Sequence, residues 1–146
     1  MNERLAYFAA DGNLLAIDWG IAGEVQGQMV LNKIKQHQLN KVPLQANYPL
    51  YPFWRIPPAL FPLEAYHYHN GSSWLWLGCL NAIALKKMGW KKEAKQDLKR
   101  IAEAINSNGS VHEVFLGGKP LNSFLLKSEP FFAWSSGLFV KAVKET

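Results

Sequence analysis

Residues 66–74 read Tyr-His-Tyr-His-Asn-Gly-Ser-Ser-Trp. Imidazole, phenol and amide groups donate and accept hydrogen bonds, and their rings offer flat faces, so the stretch could form a ligand wall. Three explanations compete for it. Metal binding needs a third ligand, and the remaining histidines, His37 and His112, show no ligand spacing to His67 and His69. Sugar binding suits the residues better, because sugars stack their C–H faces on Trp and Tyr and offer hydroxyls to Asn, His and carboxylates. An aromatic loop that merely starts a core helix accounts for the same composition. If the chain is extended here, Tyr66 and Tyr68 fall on one side and His67 and His69 on the other.

A second candidate is Glu113, in Val-His-Glu-Val-Phe (111–115) just before Gly117-Gly118. A carboxylate on a short segment between helices can face a cavity and accept a proton from water. It can equally be a surface glutamate in a turn. A third stretch, Glu129 to Phe139, carries Phe132, Trp134 and Ser135 at the start of the last apolar run. Pro130 suits a first helical turn, and Glu129 suits a helix N-terminus. No GxSxG, phosphate-binding glycine loop, CxxC pair or HExxH occurs.

These groups must be positioned by helices. A short helix is expected over 13–20, ended by Gly20, and a second over 22–38, with Val25, Met29 and Ile34 near one face and Gly27 as a weak point. From Asn40 to Tyr68 six prolines enforce a long extended loop rich in aromatics. Ser72 or Ser73 then caps a helix reaching Met88, with Gly89 ending it in a left-handed conformation. Between Trp74 and Leu85 only Asn81 is strongly polar, so this helix is expected to be buried nearly all round. The next, from Lys91 to about Asn106, is amphipathic, with Ala94, Leu98, Ile101, Ala102 and Ile105 on one stripe. A final helix runs from Phe131 to Lys144. A covered helix followed by a half-wet one is what two concentric helical layers require.

Composition narrows the function class. The net charge is only +5, and most of it comes from residues 86–100, where Glu93 and Asp97 are interleaved. That pattern reads as a solvated helix face and not as a nucleic-acid patch. The single cysteine, Cys79, lies in the apolar run and cannot form an internal disulfide or a zinc site. Neither a signal peptide nor an apolar run of membrane-spanning length is visible, so a cytoplasmic location without membrane partners is expected.

Taken in order, Tyr-His-Asn-Gly-Ser-Ser-Trp (68–74), the glutamate of 111–120, Ser-Glu-Pro-Phe-Phe-Ala-Trp-Ser-Ser-Gly (128–137) and the segment 11–22 resemble the C-terminal part of (α/α)6-barrel glycoside hydrolases. That six-hairpin group includes the mannosyl-oligosaccharide glucosidases, the alkaline and neutral invertases and amylo-α-1,6-glucosidase-like bacterial proteins. The resemblance runs from about Asp11 to the end. It implies an all-α chain of four or five helices with a long Pro/aromatic loop, forming part of an (α/α)6 toroid. Residues 1–146 would be one C-terminal segment of the catalytic domain, the N-terminal remainder of the barrel being absent. It also implies inverting hydrolysis of an O-glycosidic bond in an oligosaccharide or small glycoside, with no cofactor and no metal. In that mechanism one carboxyl group protonates the leaving oxygen and another, about 6.5–9.5 Å away, activates water. Glu113 matches the general base, His69, Asn70 and Trp74 the substrate-pocket motif, and Phe132 and Trp134 pocket-lining positions.

The chain departs from the family in one respect. The family's general acid is an aspartate from an earlier part of the barrel, and no segment here matches that motif. Twelve helices of about 12 residues with connections of about 5 need roughly 200 residues. The expected partners are therefore a carbohydrate substrate and either a separately encoded N-terminal part of the barrel or a second copy of the chain. Two other functions use the same residues: a non-catalytic carbohydrate-binding remnant, and a small helical interaction protein whose aromatics are all core.

Overall fold

The computed structural model describes residues 7–61 and 67–146. Five α-helices dominate them: α1 (Ala10–Asp18), α2 (Glu24–Gln36), α3 (Leu75–Lys87), α4 (Lys91–Asn108) and α5 (Ala133–Glu145). Two small antiparallel sheets join the connections. One pairs β1 (Phe8–Ala9) with β2 (Asn47–Tyr48), and the other runs β3 (Ser73–Trp74), β4 (Val114–Leu116), β5 (Lys119–Pro120). The expectation of an all-α chain is thus corrected to a mostly helical one whose helix ends are stitched by short strands. Gly117 and Gly118, at φ +60° and +81°, make the tight β4–β5 turn, a pair of conformations that favours glycine twice over.

Helix α3 is the centre. Ten of its thirteen residues are buried, as its apolar run requires. It packs against α1, α4 and α5, and its opposite faces belong to two cores. Leu77, Leu80 and Ala84 meet Leu14 and Ile17 of α1, Leu31 and Ile34 of α2, and Leu44 of the long loop. Leu75, Cys79 and Ile83 meet Ile101 of α4, Phe115 of β4 and Ala142 of α5. Each fully buried aliphatic side chain contributes roughly 1.5–3 kcal/mol. Burial also pushes the Cys79 thiol up to about 12, leaving it inert as a nucleophile. Gly89 ends α3 at φ +84°, as expected. The start is different: neither Ser72 nor Ser73 caps it, because Ser73 and Trp74 are spent on β3 and Trp74 takes the cap position with its backbone.

The apolar stripes differ in part from the pattern: α2 packs a largely different face, whereas α4 keeps Ala94, Leu98, Ile101 and Ile105 inside. On α2, Val25 and Met29 are 75% and 67% exposed, and the packed face carries Gly27, Leu31 and Ile34. The reason is close approach: a Cβ on Gly27 would sit 2.4 Å from the Met88 sulfur. Gln28 fixes that approach, donating to the Met88 carbonyl (3.1 Å) and accepting from the Trp90 indole (2.8 Å). On α4, Ala102 is exposed and Asp97 is buried. The Asp97 carboxylate accepts from Asn81 (2.6 Å), Asn40 (3.2 Å to each oxygen) and Arg100, so the one buried polar residue of α3 and an acid assigned to solvent are partners.

The final helix begins at Ala133, two residues later than its pattern implied, because Phe131 stands at φ +58° and cannot be its first turn. Its far end is tied to α1. The Asp18 side chain, 3% exposed, accepts from Lys87 (2.6 Å) and Lys141 (2.5 Å), which joins α1, α3 and α5. No helix among the described residues is long and apolar enough to cross a membrane.

Burial alone would raise the Asp18 pKa, but the hydrogen bonds and charges of Lys141 and Lys87 outweigh it and hold the carboxyl below its ordinary 3.8. A depressed folded-state value stabilises the fold above the unfolded pKa, and the contribution vanishes as pH falls through the lowered value. Asp18→Asn should cost about 1–2 kcal/mol at neutral pH, since both lysines are partly solvated. Urea midpoints for variant and wild type should converge as pH falls through that lowered value. A gap that persists in acid would show the loss to be steric and not ionic.

Candidate functional site

The site is assembled by a backbone ladder between two loops. The Glu113 amide donates to the Glu129 carbonyl (3.0 Å), the Phe132 amide to the Val111 carbonyl (2.9 Å), and the Phe131 amide to the Ser110 hydroxyl (2.9 Å). The segment carrying Glu113 is thereby fixed against the entrance of α5, which carries Phe132 and Trp134. From the other side, β3 pairs with β4 and holds Trp74 opposite Val114, one residue from Glu113.

Glu113 is half-buried, and one carboxylate oxygen accepts the Tyr68 phenol. The other has no hydrogen-bond partner among the described residues. Tyr68 packs edge-on against both Trp74 (4.8 Å, 79°) and His69 (4.8 Å, 86°). The His69 imidazole lies flat over Trp74 at 5.0 Å and 8°, so it occupies one face of the indole. The indole N–H donates back to the Tyr68 carbonyl (3.2 Å). This cluster cannot come from an extended strand. Residues 67–70 form a turn in which the Asn70 amide reaches the His67 carbonyl (3.1 Å), so Tyr68 and His69 share Trp74 instead of alternating. Tyr66 lies outside the described residues.

His69 and Trp74 form part of the wall of a cavity of about 270 Å³, together with Asp11, Asn47, Tyr51 and Trp76. Trp76 also meets Trp134 at 5.3 Å and 35°, and Trp134 is 61% exposed. Tyr68, beside Glu113, packs on Trp74, and Trp74 and Trp76 both line the cavity, while Glu113, Tyr68 and Trp134 are not among its lining residues. Asn70 stands apart in its use. Its amide accepts from the Tyr51 backbone (2.6 Å) and from Asn47 (3.2 Å) and donates to the Tyr51 carbonyl (3.0 Å). Asn47 in turn accepts from the Gly71 amide (2.7 Å). The asparagine pair clasps the long loop over the β3 entrance and presents Tyr51 to the cavity. Phe132 is half-buried and takes part through its backbone, as the N-cap of α5.

Three groups of the site were not singled out as site residues from the sequence, Trp76, Tyr51 and Asp11, and Tyr68 stood in the candidate wall without a role of its own. Trp76 had a signal, being two residues from Trp74 in an otherwise apolar helix. Asp11 and Tyr51 had none, because they reach the cavity from α1 and the proline-rich loop. No group of three or more His, Cys, Asp or Glu side chains among the described residues could hold a metal ion. Comparison with known proteins found no matching family model and no matching curated protein.

Burial, then the hydrogen bond to Glu113, then the charges of Glu113 and Glu129 push the Tyr68 phenol above its ordinary value of 10.0. An ultraviolet-absorbance titration should show one late-ionising tyrosine that disappears in Tyr68→Phe. A raised folded-state pKa stabilises the fold below the unfolded value and is lost as pH rises through it. Wild-type stability should therefore decline more steeply than that of Tyr68→Phe above pH 10.0. Normal ionisation of every exposed and half-buried tyrosine would refute the Tyr68–Glu113 bond.

Proposed function

We propose that this chain supplies part of an inverting glycoside hydrolase site, with Glu113 as the general base. The observation that carries this reading is the Glu113–Tyr68 pair packed against Trp74, which lines a sugar-sized cavity. Tyr68 fixes one carboxylate oxygen, leaving the other to take a proton from water as it attacks the anomeric carbon. Trp76 and Trp134 offer stacking faces, while Asp11 and His69 offer partners for hydroxyls. The general acid is drawn from other polypeptide.

The same proposal covers the architecture. The five helices form an arc of an (α/α)6 toroid, α3 belonging to the inner layer and α4 to the outer. It is supported by the contrast between α3, covered on both faces, and α4, wet on one. Exposed apolar side chains on α2 (Val25, Met29) and α5 (Val140, Val143) are the flanks that further helices would cover.

Catalysis and binding separate in one experiment. With the remaining barrel polypeptide added, glycosidase activity should appear and Glu113→Gln should lower it by a factor of about 10²–10⁴. Sugar-induced changes in tryptophan fluorescence should survive that substitution. Unaltered activity in Glu113→Gln would end the base assignment, and binding without activity would favour a binding-only role. If millimolar sugar leaves the fluorescence unchanged as well, the aromatics are structural. The arc makes its own prediction: alone, the chain should self-associate in sedimentation velocity, whereas a monodisperse monomer with a cooperative melt would contradict it.

A further inference from the structure

Residues 114–128 contain two lysines and no acidic residue. They fold as the β4–β5 hairpin followed by a narrow turn in which Asn122 bridges Lys127. Together with the end of α4 they enclose an open groove of about 860 Å³, within the size range of small-molecule sites. Lys119, Lys127, His112, Asn122 and Ser128 are among its lining residues, and no carboxylate is. Neither lysine forms an ion pair among the described residues. Glu129, between two lining residues, is exposed and is not part of the wall.

A further feature points to a ligand. The His112 ring, set edge-on to Phe115 at 6.3 Å, closes one side of the groove. The Ser128 hydroxyl accepts from the Val114 amide (3.0 Å), which leaves its own proton to donate. Two ammonium groups facing one hollow without a counter-charge repel each other, and an anion between the walls turns that repulsion into attraction. Lysine serves phosphate as a point charge, and the amide and hydroxyl groups suit the polar remainder of a small organic ester.

We propose that this groove binds a phosphorylated small molecule, with Lys119 and Lys127 supplying the counter-charge and Asn122 and Ser128 the hydrogen bonds. It shares no lining residue with the cavity at His69 and Trp74, so it stands or falls independently of the glycosidase reading.

Titration of the full chain with glucose 6-phosphate, inorganic phosphate and glucose at constant ionic strength tests the proposal, followed by amide NMR shifts. Glucose 6-phosphate should bind with a Kd of about 1 mM or better, shifting amides within 116–128, with phosphate weaker and glucose leaving these amides unmoved. Added salt should weaken it. Lys119→Ala with Lys127→Ala should reduce affinity about tenfold or more, whereas Lys92→Ala with Lys144→Ala, which removes the same charge elsewhere, should not. Equal losses in the two double variants, shifts scattered outside the groove, or no binding at about 10 mM would each overturn the proposal. Phosphate binding as tightly as its sugar ester would overturn the organic-ligand assignment.

Discussion

A helix with almost no polar side chain must be covered on every side, and that requirement organises this molecule. Helix α3 cannot rest on one partner, so α1, α2 and the long loop cover one face while α4, α5 and β4 cover the other. The connections serve this packing. The loop before α3 is held down by Leu44 in one core and by strand pairing at Ser73 and Trp74, and the loop after α4 is drawn in by Phe115. Removing the apolar character of α3 would deprive both halves of their common surface.

The candidate site follows from that arrangement. Trp74 and Trp76 flank the first residue of α3, so the rings at its N-terminal end stand where the two cores meet. Glu113 arrives there because β4 pairs with β3 and because the backbone of 111–113 and the Ser110 hydroxyl are bonded to the entrance of α5. Tyr68 joins the carboxylate to the indole cluster. Every group is thus held by backbone hydrogen bonds or ring packing, and the site's geometry depends on the loops only as far as those bonds anchor them.

Much of the helical layout was legible because it rests on local patterns: the apolar run of α3, the glycine stop at Gly89 and the amphipathic α4. What escaped depends on contacts distant in sequence. Val25 and Met29 are the bulkiest apolar residues of α2's first half, yet Gly27 faces inward because only a hydrogen fits beside Met88. Asp97 looks like one more solvated acid until Asn81 and Asn40 come within hydrogen-bonding distance of it. The same limit applied at the site. Glu113 and Trp74 could be chosen from their neighbours in the chain, but Tyr68 earns its role by reaching a carboxylate 45 positions away, and Asn70 spends its amide on Tyr51.

The Asp97–Asn81 contact has a wider implication for how the chain finds one arrangement. Aliphatic side chains on α3 would accept a neighbouring helix shifted by a turn with little penalty, since hydrocarbon contacts are not directional. A carboxylate displaced from its amide partners inside the same interface would lose its hydrogen bonds without regaining water. One polar couple therefore acts as an alignment pin, making a single axial placement of α4 far more favourable than its greasy alternatives.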